Sequence, residues 1–108
     1  MPKGFVKVAR VSEIPDRRSK RVTVGDEDIA VWHVGGTFYA ISNVCCHQHI
    51  PALHQGILDG LRVSCPMHGW TYSLMTGLTE TGQGKLRTFK VIVEEDGVFI
   101  EETPPSWL

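Results

Sequence analysis

Cys45-Cys46-His47 and, after 17 further residues, Cys65-Pro66-Met67-His68 decide how this chain is read. The pattern is C-x-H followed by C-x-x-H. It lies in a segment, Asn43 to Gly84, that holds all three cysteines and four of the five histidines. Three cysteines make no disulfide framework, and in a reducing compartment a cysteine–histidine pattern is more often a metal site than a bridge. Spacing alone leaves two ligand registers open. Cys45, His47, Cys65 and His68 form one, and Cys46-x-x-His49 with Cys65-x-x-His68 forms a valid Cys2His2 zinc pattern.

On either side of this segment the chain consists of short β-like runs between turn residues. Phe5 to Val11 alternates loosely, and the polar, proline-containing stretch from Ser12 to Ser19 reads as a connection. Strands are expected over Arg21 to Val24, Ile29 to Val34 and Thr37 to Ser42, with Gly35-Gly36 as a tight hairpin signal. Leu61 to Ser64 and Trp70 to Tyr72 are short strands inside the motif region. Leu86 to Glu94 reads as the longest strand, Glu95-Asp96-Gly97 as a turn, and Val98 to Glu101 as the returning strand. Closely spaced strands with Gly-rich turns and no convincing helix indicate an all-β sandwich or barrel. Residues 1–108 read as one domain: scaffold over 1–42 and 85–102, a metal-binding subdomain inserted at about 43–84, and a tail over 103–108 that Trp107 can dock.

The composition suits a globular protein. The 108 residues are 42% apolar and 21% charged with a net charge of −1, enough for one core and without a basic footprint for nucleic acid. No apolar run approaches the roughly 20 residues needed to cross a bilayer. The segment Met1-Pro2-Lys3-Gly4 leads into a strand without an apolar signal region. A cytoplasmic protein with no membrane partner is the expectation.

The ligand pattern and its flanks resemble the Rieske family. The resemblance rests on Cys45-x-His47, on Cys65-Pro66-Met67-His68-Gly69-Trp70-Thr71-Tyr72, on Thr76-Gly77 and on the approach Phe38-Tyr39-Ala40-Ile41-Ser42-Asn43. It extends to the closing strand pair around Glu95-Asp96-Gly97 and covers nearly the whole chain. It implies the Rieske β-sandwich or barrel scaffold with an inserted cluster-binding subdomain. It also implies a [2Fe–2S] cluster with Cys45 and Cys65 on one iron and His47 and His68 on the other. Thiolates are soft donors suited to iron–sulfur clusters. Two neutral imidazoles remove two negative charges, so an added electron meets less repulsion. Rieske potentials accordingly span roughly −150 to +300 mV, against about −400 mV for all-cysteine plant-type clusters.

Rieske proteins of cytochrome complexes carry an additional cysteine after each ligand pair, and here those positions are Ile50 and Met67. They also place a serine where this chain has Trp70, while Tyr72 matches a tyrosine that bonds a ligand sulfur. Fewer hydrogen bonds to sulfur imply a potential near the bottom of the range, about −150 mV. His49 stands where ferredoxin-type relatives usually have glycine. Gly82-Gln83-Gly84 occupies a region where they often have proline, and Tyr72-Ser73 replaces an aromatic–Asp pair.

Other residues have plainer readings. Cys46 is a small thiol beside the cluster, and His49 and His54 pack loops or face solvent. His33 is a satisfied, partly buried histidine. Trp70 and Met67 shield the cluster or face a partner. Gly35-Gly36, Gly77 and Gly97 need only turns, and Glu94-Glu95-Asp96 is a solvated turn. Arg17, Arg18, Lys20 and Arg21 form a basic cluster, read as a solvated loop with steering of an acidic partner as the alternative.

The chain contains no nucleophile–base pair, phosphate loop or nucleotide fingerprint. It is not expected to be an enzyme by itself. The resemblance implies a one-electron carrier that accepts electrons from a flavin-containing NAD(P)H reductase and passes them to a terminal oxygenase. The alternatives are the small subunit of an NAD(P)H-dependent nitrite reductase and, from another class, a structural zinc-binding interaction module.

Overall fold

A computed structural model describes residues 4–44, 51–66, 70–79 and 84–102. The described residues form ten strands: β1 (Phe5–Arg10), β2 (Ser19–Val24), β3 (Glu27–Val34), β4 (Thr37–Ser42), β5 (Ile57–Asp59), β6 (Arg62–Ser64), β7 (Thr71–Ser73), β8 (Thr88–Phe89), β9 (Val91–Glu94) and β10 (Gly97–Glu101). Short 3₁₀ turns cover Val11–Glu13 and Leu53–Gln55. The class is all-β, as the strand spacing predicts.

The strands make three sheets, ordered β1-β10-β9, β2-β3-β4-β8 and β5-β6-β7. The residue pattern of β3 explains how they stack. Ile29, Ala30, Val31 and Trp32 are all buried in succession, whereas a strand with one wet face would alternate. Ile29 and Val31 join a core with Ala9, Ile14, Phe38, Ala40, Phe89, Val98 and Ile100, lying between the four-stranded sheet and the β1-β10-β9 sheet. Ala30 and Trp32 point the other way, into a second core with Ile41, Leu53, Val63, Cys65, Tyr72, Leu74 and Leu86. The four-stranded sheet is thus a middle layer with an apolar face on each side. The small β5-β6-β7 sheet covers its second face.

The β3–β4 hairpin closes with Val34 opposite Thr37. Gly35 and Gly36 both have positive φ, 59° and 89°, which a two-residue type I′ loop requires. The β5-β6-β7 sheet falls between β4 and β8, which pair with each other through Ala40–Phe89 and Ile41–Thr88.

Three local expectations need correction. Leu86 to Glu94 is not one strand. β8 pairs with β4 in the middle sheet, and β9 pairs with β10 in the outer one. The chain changes sheets at Lys90, whose N–H donates to Glu101 Oε1 (3.2 Å) and whose carbonyl accepts from Glu101 N–H (3.1 Å). Apolar residues continue through the break because Phe89 and Val91 contribute to the same core from two sheets. Strand β5 has no counterpart in the sequence reading: Ile57 and Asp59 are exposed, so its pattern carries no buried face. Gly97 is not a turn residue but opens β10 opposite Glu94, and Glu95 takes the positive φ of 57° instead.

The basic cluster is half neutralised. Lys20 pairs with Glu13 at 3.4 Å, and Arg21 grips both carboxylate oxygens of Asp28 at 2.6 to 3.2 Å. Arg17 and Arg18 are exposed. The Arg21 guanidinium holds the Asp28 carboxyl below its ordinary value, helped by a hydrogen bond from Asn43 and opposed by burial. A depressed carboxyl stabilises the fold above its unfolded pKa, about 3.9, and that contribution disappears as pH falls through the lower folded value. Asp28→Asn keeps an acceptor for Asn43 but loses the charge. Its melting temperature is therefore expected to fall less steeply than that of the wild type below about pH 4, as thermal unfolding across a pH series will show.

Candidate metal centre

Of the four expected ligands, Cys65 is described; Cys45, His47 and His68 lie outside the described residues, as do Cys46, His49, Ile50 and Met67. The structure defines the bases of the loops that carry them.

The first loop leaves β4 at Asn43. Val44 and Pro51 form an antiparallel bridge, so residues 45–50 are pinched off between them. After the bridge, Ala52 and Leu53 are buried, and Leu53 enters the second core. The second loop leaves β6 at Ser64. The Cys65 N–H donates to the Trp70 carbonyl at 2.8 Å, which closes the loop across residues 66–69. Ser64 and Thr71 face each other across β6 and β7, with their hydroxyls 2.8 Å apart. A third loop, residues 80–83, is closed where Thr79 N–H donates to the Gly84 carbonyl at 3.0 Å and Thr79 Oγ1 accepts from Gly84 N–H at 3.1 Å. Tyr72 bridges to Thr79, tying the second and third loops together.

Cys65 is 1% exposed and shares the second core with Leu53 and Tyr72, each fully buried, while Trp70 packs partly buried against it. Leu53 follows the first loop and Cys65 begins the second, so the two bases meet in one apolar cluster. A buried cysteine at the root of a closed hairpin whose loop also carries a histidine suits a softly ligated cluster shielded from water. Each hairpin supplies one cysteine and one histidine of the expected ligand set, so neither would hold a cluster alone.

The histidines outside the ligand set behave as their surroundings suggest. His33 Nδ1 lies 2.7 Å from the Ile14 carbonyl, and its ring stacks on Phe38 at 4.2 Å. His54 is partly buried, with Nδ1 3.1 Å from Asn43 Oδ1. Burial and the nearby Arg21 lower the pKa of His54, and Asp28 opposes them. Residue-by-residue reading of the sequence misses Asn43. It is fully buried and bonded at both ends of its amide; a polar residue closing an apolar strand, two positions before the first expected ligand, was the available signal.

Among the described residues, no helix is long and apolar enough to cross a membrane. The Rieske [2Fe-2S] domain family matches residues 4–90. Ferredoxin CarAc of Metapseudomonas resinovorans is 34% identical over 99 residues, covering 89% of this chain and 92% of its own. A solved structure, a complex of reduced oxygenase and oxidised ferredoxin in carbazole 1,9a-dioxygenase, contains a chain 31% identical to this one. The match covers 97% of this chain and 100% of that one, with a TM-score of 0.83. A nitrite reductase NADPH small subunit shares the fold, at 20% identity and a TM-score of 0.81, over 89% of this chain and 96% of its own. The chain belongs to the Rieske [2Fe–2S] family, and its cofactor is a Rieske-type [2Fe–2S] cluster.

Proposed function

We propose that this protein is a one-electron carrier of the ferredoxin type, which receives electrons from a flavin-containing NAD(P)H reductase and delivers them to a terminal oxygenase in the cytoplasm. Cys45 and Cys65 hold one iron, and His47 and His68 hold the other. The observation that carries this reading is the likeness, over nearly the full length of both chains, to a chain of an oxygenase–ferredoxin complex. Within the single domain, residues 43–84 are the cluster-binding part and 1–42 with 85–102 the scaffold.

When bound, the cluster supplies a one-electron couple. The residues of this chain set where that couple sits. The second core keeps water from the Cys65 side, where Tyr72 and Leu74 are buried and Trp70 covers part of the surface. Cys65 N–H is committed to the Trp70 carbonyl, which fixes the backbone entering the second loop. The resemblance makes His47 and His68, which lie outside the described residues, the side of the cluster from which an electron would pass to a partner. Encounters of this kind use small interfaces, under about 1,200 Å².

The test is reoxidation of the dithionite-reduced protein, without oxygen, by the oxidised terminal oxygenase of a carbazole 1,9a-dioxygenase system in a stopped-flow instrument. Visible absorption is expected to return much faster than in buffer alone, and added salt to slow it as charge steering is screened. Reoxidation no faster than in buffer, together with stable stoichiometric co-elution with the large subunit of an NAD(P)H nitrite reductase, would replace this reading with the small-subunit one.

A further inference from the structure

Asn43 and Thr79 are the two buried polar residues among the described ones, and each stands at the base of a loop. Thr79 closes residues 80–83. Asn43 immediately precedes the first ligand loop and is bonded in two directions. Toward the middle sheet, its N–H donates to the Asp28 carbonyl at 2.8 Å and its Nδ2 to Asp28 Oδ1 at 3.1 Å. Toward the far side of the loop, its carbonyl accepts from Leu53 N–H at 3.2 Å and its Oδ1 from His54 N–H at 2.6 Å. His54 Nδ1 lies 3.1 Å from the same Oδ1.

The chemistry of the partners fixes which way the amide points. A carboxylate only accepts and a backbone N–H only donates, so Nδ2 must face Asp28 and Oδ1 must face His54. His54 then carries a proton on Nδ1. Only an amide satisfies both sides without adding charge. A buried polar side chain costs stability unless it is hydrogen-bonded, and an apolar residue is the simpler way to fill a core position. These bonds join the residue where the loop leaves β4 to the residues where it returns, with the Val44–Pro51 bridge next to them.

We infer that Asn43 is the positioning residue of the first ligand arm, clamping both ends of the loop that carries Cys45 and His47 to Asp28 of the middle sheet. The inference rests on the reading of Cys45 and His47 as ligands. It separates Asn43 from an ordinary core residue, whose loss weakens the whole fold without preference for the arm.

Release of the cluster to a chelator, followed by the loss of visible absorption, tests it in the holoprotein. Asn43→Ala is expected to release the cluster about tenfold faster than wild type, within the range seen when groups supporting metal ligands are removed. Its reduced EPR signal should broaden as the arm samples more geometries. The control is Val22→Ala, which thins the first core, between the other two sheets; at an equal or lower melting temperature it should release the cluster at the wild-type rate. Equal release rates for the two variants would overturn the inference.

Should Asn43→Ala assemble no cluster, Asn43→Ser provides the reading. A hydroxyl reaches one side of the clamp but not both, so Asn43→Ser is expected to release the cluster several-fold faster than Val22→Ala. Release of the cluster from Asn43→Ser at the rate of Val22→Ala would overturn the inference. Failure of the ligand reading is visible separately, as an unchanged potential in His47→Cys.

Discussion

His68→Cys is expected to lower the reduction potential by on the order of 100 mV, and His47→Cys by a similar amount. Each exchange replaces a neutral donor with an anionic one, so the reduced cluster carries one more negative charge. The scale follows from the family ranges: about −150 mV at the bottom of the Rieske class and about −400 mV for all-cysteine clusters, a gap of roughly 250 mV for two histidines. A protein-film or dye-mediated titration of the holo variants measures it. The two substitutions lie in different loops, one pinched off by Val44 and Pro51 and the other by Cys65 and Trp70, so a folding defect in one leaves the other as a test. A potential that stays within about 20 mV of wild type in both would mean that these histidines do not bind iron, given the size of that gap.

The second large effect is on stability. Gly77 has φ +78°, and a Cβ there would overlap the Leu86 carbonyl oxygen and lie 3.2 Å from Thr88 Cγ2. The backbone is committed at the same point, with Gly77 N–H on the Ser73 carbonyl at 2.8 Å and Leu86 N–H on the Gly77 carbonyl at 2.7 Å. Gly77→Ala therefore meets two obstacles. A left-handed conformation costs an alanine about 1–2 kcal/mol. The contact with a backbone oxygen is relieved only by moving Leu86 out of the second core. The sum is expected to be about 3 kcal/mol or more, a large share of the roughly 5–15 kcal/mol that holds a domain folded. For a chain of this size that lowers the melting temperature by roughly 12 °C or more. A loss under about 4 °C, equivalent to less than 1 kcal/mol on the same scale, would show that the turn accepts a side chain.

Gly77 also shows where sequence reading stops. A turn glycine is legible from Thr76-Gly77, but the approach of Leu86 is not, because it depends on how the third loop returns. The fold class was legible because β2, β3 and β4 carry their own signals, with β-branched runs and Gly35-Gly36 between them. The sheet change at Lys90 was not. Nothing local distinguishes an apolar run that stays in one sheet from one that crosses between two sheets lining the same core. Strand β5 escaped because Ile57 is 68% exposed and Asp59 is exposed too, so its place comes from pairing with β6 and not from burial.

The family and its cofactor were legible in the cysteine–histidine spacing and its flanks, and the burial of Cys65 accords with its proposed place as a ligand. Asn43 was readable only as part of the approach to the first loop. Its importance depends on Asp28 and His54, which lie 15 and 11 positions away in the chain, and such meetings belong to tertiary structure.

Pulsed EPR on the dithionite-reduced holoprotein, read for nitrogen hyperfine coupling, tests the central claim most directly. The predicted result is a [2Fe–2S] signal coupled to two iron-bound nitrogens, with one lost in His47→Cys and the other in His68→Cys. A reduced cluster with no directly bound nitrogen, or a colourless protein that binds zinc and gives no signal, would contradict it.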